Sequence, residues 1–158
     1  MQKITPYLWF DNNAEEAMNF YISLFPDSRI FNVQRYPEGA PGPAGTVMAA
    51  TFQLAGQEFM VLNGGPQFKF NESFSLFVNC EDQAEVDRLW NALIADGGEE
   101  SRCGWLKDRF GLSWQIVPTA LGRLMGDPNP AKAQAVMQAM LQMQKIEVGK
   151  LQAAYDVA

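Results

Sequence analysis

The chain has 158 residues, of which 47% are hydrophobic and 19% charged, a composition that buries a real core within one ordinary domain. Its net charge of −6 leaves no basic face for phosphates, so neither nucleic acid nor an anionic membrane surface is an expected partner. It contains no histidine, which removes the usual base near neutral pH, the usual partner of a Ser or Cys nucleophile and the commonest zinc ligand.

Two segments about 70 residues apart resemble one another. The first runs Tyr7-Leu8-Trp9-Phe10 and then Ala14 to Phe25; the second runs Ser75-Leu76-Phe77-Val78 and then Ala84 to Ile94. In register, Glu16 matches Glu85, Ala17 matches Val86, Tyr21 matches Trp90, Leu24 matches Leu93 and Asp27 matches Asp96. Each segment reads as strand, cap and helix. Asn13 with Glu16, and Asp82 with Glu85, have the spacing of a capping box. Pro26 stops the first helix and Gly97-Gly98 the second. Ala17, Phe20, Tyr21 and Leu24 form one apolar stripe, as do Val86, Leu89, Trp90 and Leu93.

After the first helix, Arg29 to Tyr36 reads as a strand, and Pro37 to Gly45 is a Pro/Gly loop. Thr46 to Leu54 and Gln57 to Asn63 are strands joined at Ala55-Gly56. In the second half, Trp105 to Lys107 and Leu112 to Val117 flank the turn Asp108-Arg109-Phe110-Gly111, while Glu99 and Glu100 read as solvated surface after a turn. Beyond Pro118 the chain turns helical. Asn129 caps a helix with Pro130 at its first position, and Val136, Met137, Met140, Leu141 and Met143 make an apolar stripe that covers the domain or a partner subunit.

The run Asp108 to Ile116 resembles the closing hairpin of the vicinal oxygen chelate superfamily, which includes glyoxalases, bleomycin-resistance proteins and extradiol dioxygenases. With Ile4 to Leu8, Asn63-Gly64-Gly65-Pro66, Ser75 to Cys80 and Cys103 to Asp108, the chain resembles the PhnB-like family, which bears the name 3-demethylubiquinone-9 3-methyltransferase. The resemblance implies an α+β fold of two βαβββ modules, about 3–66 and 72–118, whose curved mixed sheets enclose a cavity, with a helical tail over 119–158. It also implies a homodimer, and metal-ligand positions near Thr5, Asn63, Ser73 or Ser75, and Gln115. None of these is a histidine or carboxylate, and neutral oxygens rarely hold a divalent ion alone. No metal and no cofactor are expected.

Strand alternation assigns faces independently of family. Ile4, Leu8 and Phe10, then Phe74, Leu76 and Val78, then Leu112, Trp114 and Ile116 face helix; Thr5, Tyr7 and Trp9, then Ser73, Ser75 and Phe77, then Ser113, Gln115 and Val117 face inward. The expected ligand lining is therefore Thr5, Tyr7, Trp9, Asn63, Ser75, Phe77, Cys103, Trp105 and Gln115, mixed polar and aromatic as a small-molecule pocket requires.

Competing chemistry is thin. Cys103 near Lys107 has the makings of a nucleophile, but without a base it reads as structural, and Cys80 as packing. Lys107 and Asp108 form either an ion pair or two parts of the hairpin. Gly64-Gly65-Pro66 lacks the Lys-Ser/Thr of a phosphate loop, and no glycine-rich turn for a methyl-donor cofactor appears. No residue is assigned a catalytic role. No apolar run approaches the roughly 20 residues of a membrane span, the first residues lack a signal-peptide core, and two cysteines make no disulfide framework, so a cytoplasmic protein is expected. Three functions follow, in order: a metal-free small-molecule binder, an enzyme (metal-dependent lyase or dioxygenase, or the methyltransferase of the family name), and a protein-interaction scaffold using loop 37–45.

Overall fold

A computed structural model describes residues 2–158. The chain divides into two compact units, one ending at Lys69 and one beginning at Phe70, the second including the tail.

In the first unit, strand β1 (Tyr7–Phe10) leads to helix α1 (Ala14–Leu24), followed by β2 (Arg29–Arg35), β3 (Val47–Leu54) and β4 (Gln57–Asn63). The sheet order is β1-β4-β3-β2, with β1 parallel to β4 and the other pairs antiparallel. The second unit repeats this plan with β5 (Ser75–Cys80), α2 (Gln83–Ile94), β6 (Glu99–Glu100), β7 (Trp105–Lys107) and β8 (Ser113–Pro118), in the order β5-β8-β7-β6. The two βαβββ modules implied by the family resemblance are present. The matched aspartates Asp27 and Asp96 both adopt left-handed backbone, with φ of 52° and 59°, so the repeat extends to the turn leaving each helix.

Each helix buries its apolar stripe on one face of its own sheet. Ala14, Ala17, Met18, Tyr21 and Leu24 of α1 are buried, as are Val86, Leu89, Trp90 and Leu93 of α2. Leu8, Phe10, Phe52, Phe59 and Val61 meet the first set; Leu106, Trp114 and Ile116 join the second core. Phe20 is only half-buried.

Several expectations are corrected. Ile4 (85% exposed) and Phe74 (45%) precede the strands they were assigned to, so alternation does not govern them. Glu99 and Glu100 are exposed as expected but also form a short edge strand, and the Trp90 indole donates to Glu100 Oε1 at 2.8 Å. Asn13 occupies the cap position of α1 but makes no side-chain cap bond; Asn63 supplies it instead, its Oδ1 accepting from Ala14 N at 2.9 Å. In α2 the local cap forms as read: Glu85 N donates to Asp82 Oδ1 at 2.9 Å, and Glu85 Oε1 accepts from Glu81 N at 2.8 Å.

The tail folds into α3 (Thr119–Met125), α4 (Pro130–Leu141) and α5 (Val148–Asp156), with Asn129 Oδ1 accepting from Ala131 N at 3.0 Å. Its predicted stripe splits: Val136 and Met143 are buried, Met140 partly so, and Met137 and Leu141 are exposed. The buried members cluster with Leu121, Leu124, Ile146, Leu151 and the end of β8 at Val117. Val117, read as inward-facing, is thus covered by the tail of its own unit.

Candidate functional site

Opposite α2, the second sheet carries two cross-strand rows. Register places Phe77 beside Gln115 and Gln115 beside Trp105 in one row; Ser75, Ser113, Lys107 and Glu99 make the other. Phe77 is 54% exposed, a large aromatic surface on a strand flanked by polar neighbours. Gln115 Nε2 donates to Ser75 Oγ at 3.0 Å, which fixes the amide against the sheet and leaves its carbonyl oxygen for a guest. Trp105 is half-buried. Lys107 is ion-paired with Glu72. The Glu72 carboxylate holds the Lys107 ammonium above its usual pKa against some desolvation, with Glu99 adding to the field, and Lys107 lowers Glu72 in return.

Lys107 therefore does not pair with Asp108. Asp108 is buried and organises the hairpin: its Oδ1 accepts from Phe110 N at 2.8 Å and Leu112 N at 3.1 Å, and its Oδ2 from the Trp114 indole at 2.9 Å. Cys103 lies in the turn before β7 with φ 58°, its N–H donating to Met143 O at 2.9 Å. Gly104 follows with φ 86°, where an added Cβ would lie 2.8 Å from Ile146 and 3.0 Å from the Ile116 carbonyl. The tail thus presses on the turn that aims Trp105. Cys80 is buried, and burial pushes its thiol up to about 12, the environment of a packing residue.

In the first unit, Tyr7 (51% exposed) and Trp9 share the face opposite α1 with their register partners Met60 and Leu62. Trp9 is held there: its indole donates to Gly65 O at 2.9 Å, Phe68 meets it edge-on at 4.9 Å, and a Cβ on Gly64 would fall 2.4 Å from its ring. Thr5 precedes β1 and is half-buried, receiving a long contact from Gln2 Nε2 at 3.5 Å. Asn63 is corrected. It shares parity with buried Phe59 and Val61, and its Nδ2 donates to Val47 O at 2.9 Å while its Oδ1 holds α1. The face opposite α1 has Leu62 at that point. The alternation Phe59, Val61, Asn63 was the signal that places it. A cavity of about 410 Å³ lies under the Pro/Gly loop, between Tyr36, Pro41, Pro43 and Gly64, with the Tyr36 hydroxyl donating to Asn63 O at 2.7 Å.

The family model named 3-demethylubiquinone-9 3-methyltransferase matches residues 2–117. The chain belongs to that family. The solved PhnB protein from Bacillus cereus is 43% identical, covering 74% of this chain and 99% of its own, with a TM-score of 0.70. A solved protein from Pseudomonas aeruginosa is 25% identical, covering 75% and 98%, with a TM-score of 0.61. Protein YjdN of Escherichia coli (strain K12) is 26% identical over 136 residues, 72% of this chain and 92% of its own. Helices α3 to α5 lie beyond the matched residues. The PhnB-like family and the paired βαβββ sheets expected from the sequence are the ones found.

The family name implies a methyl-donor cofactor, and the superfamily a divalent metal. Neither fits these residues. The strand-to-helix turns, 11–13 and 81–82, contain no glycine that would let a cofactor approach the backbone, and both sheets are mixed rather than doubly wound. At the positions where the resemblance implies metal ligands stand Thr5, Ser73 or Ser75, and Gln115, with Asn63 turned to α1; neutral oxygens of this kind hold divalent ions poorly. Among the described residues no helix is long and apolar enough to cross a membrane.

Proposed function

We propose that this protein is a metal-free binder of a small organic molecule, which lies on the face of the second sheet opposite α2. The observation that carries the reading is the row Phe77–Gln115–Trp105: exposed aromatic area on either side of an amide fixed by Ser75. Apolar walls with one or two orienting polar groups are what a small-molecule site needs, and an exposed aromatic patch on a sheet marks an interaction surface. Tyr7 and Trp9 supply comparable aromatic area on the first sheet. Assembly as a homodimer in the cytoplasm belongs to the same reading, with sedimentation as its check.

Thermal-shift screening against a broad panel of aromatic metabolites tests it. A stabilising compound is expected, with Phe77→Ala or Gln115→Ala weakening its binding about tenfold. Absence of stabilisation by the whole panel, or one equivalent of divalent ion in protein purified without chelator, overturns the reading.

A further inference from the structure

The polar row beside that aromatic one has a hydroxyl with nothing to bond. Ser113 is 1% exposed, and its Oγ makes no hydrogen bond. Buried polar atoms are nearly always paired, so an unpaired one marks a place where a partner belongs. Alanine would fill the same space without that penalty. Ser113 forms part of the wall of a recess of about 170 Å³, with Trp105, Lys107, Glu72, Glu99 and Glu100 around it. At about 30 Å³ per water in the liquid, the recess holds a head group of only a few heavy atoms.

Charge selects the head group. Lys107 is already taken by Glu72 and lies across from Glu99 in the β6–β7 register. With Glu100 turned to the Trp90 indole, the Glu72 and Glu99 carboxylates against the one Lys107 ammonium leave the recess negative, and Trp105 adds an aromatic surface of the kind that attracts cations. Among the described residues no group of three or more acidic or thiol side chains is arranged to hold a metal ion, so the fit is to an organic cation. The two rows are two residues apart along each strand, about 6.6 Å at roughly 3.3 Å per residue. That spans an ammonium head and a ring joined by a short carbon linker.

Resting on the reading above, we propose that the recess at Ser113 receives the primary ammonium of a small arylalkylamine, whose ring lies along Phe77, Gln115 and Trp105. The ammonium carries three donors and no acceptor, so it gives one hydrogen bond to Ser113 Oγ and another toward Glu99.

Titration calorimetry with 2-phenylethylamine, 2-phenylethanol and 3-phenylpropionate at neutral pH tests this. The amine is expected to bind at least tenfold more tightly than the alcohol and the acid, and to weaken as salt is raised. Ser113→Ala should lower amine affinity about tenfold without lowering the melting temperature, and Glu99→Gln, an exposed change, should weaken it as well. Equal or tighter binding of the alcohol or the acid sinks the ammonium assignment while leaving the broader reading of the face intact. So does amine binding indifferent to both substitutions. If none of the three probes binds, the recess assignment falls, and the face itself then stands or falls on the metabolite panel.

Discussion

The two modules share a topology yet fasten its corresponding points by different chemistry. The first turn of α1 is tied by Asn63, at the far end of the module, which bridges Ala14 N and Val47 O; the first turn of α2 is tied by Asp82 and Glu85, its own neighbours. The hairpins repeat that contrast. The β3–β4 turn, with Ala55 and Gly56 at φ 48° and 84° in a two-residue reversal, is tied to the turn after α1, Ala55 N donating to Ser28 Oγ at 3.1 Å and Gly56 N to Asp27 O at 3.3 Å. The β7–β8 turn is built around the Asp108 carboxylate and its three acceptor contacts. The first module therefore fastens its helix and its hairpin through side chains distant in sequence, and the second through residues within six positions of one another.

Substitutions that remove each tie rank the joins. Asp108→Ala should have the largest effect, about 3–5 kcal/mol, because hydrogen bonds to a charged group are each worth about 1.5–3 and the Trp114 indole would be left buried and unpaired. Urea unfolding measures it. A loss below 1 kcal/mol would mean that the turn closes without the carboxylate. Asn63→Ala follows, at about 2–4 kcal/mol, since it strands a buried N–H and a carbonyl together. Asp82→Ala removes a solvent-facing local cap and should cost about 1 kcal/mol by the same measurement. If Asp82→Ala proved as damaging as Asn63→Ala, the contrast between local and distant capping would collapse.

Those same residues show what was legible beforehand. Elements with clean alternation or helical stripes were read nearly to the residue: Gln57–Asn63 and Trp105–Lys107 match their strands outright. The local cap at Asp82 was legible because donor and acceptor lie within one turn of each other. The cap on α1 was not, because the spacing Asn13–Glu16 fits a capping box equally well and only the folded sheet brings Asn63 to Ala14. Strand β6 escaped because two glutamates offer no periodicity. Val117 was assigned by parity to an open face, and parity says nothing of a tail that returns to cover it. On the second sheet, Ser75, Phe77, Ser113 and Gln115 kept the face that alternation gave them; what was hidden was that Ser113 would be buried without a partner.

The smallest expected effect comes from surface ion pairs, which also differ between modules. Arg35 forks onto Glu15 at 3.1 and 2.7 Å, tying β2 to α1, whereas Lys145 reaches Asp87 at 3.0 Å, tying the tail to α2. The Arg35 hydrogen bond holds Glu15 below its ordinary value near 4.5, and Gln83 followed by Lys145 does the same for Asp87 relative to 3.8. A carboxylate lowered in the folded state adds stability that is complete above its unfolded pKa and disappears as pH falls through the folded one. Acidification from pH 5 should therefore shed a small increment from each pair, with Glu15→Gln removing only the first. Exposed pairs are weak and screened, so both increments should vanish in about 1 M salt, where the Debye length is about 3 Å. Urea midpoints at pH 5 and pH 3, with and without salt, read this out. A Glu15→Gln protein with an unchanged acid response would show that the fork between α1 and β2 contributes nothing in solution, and that the first module's helix is held without it.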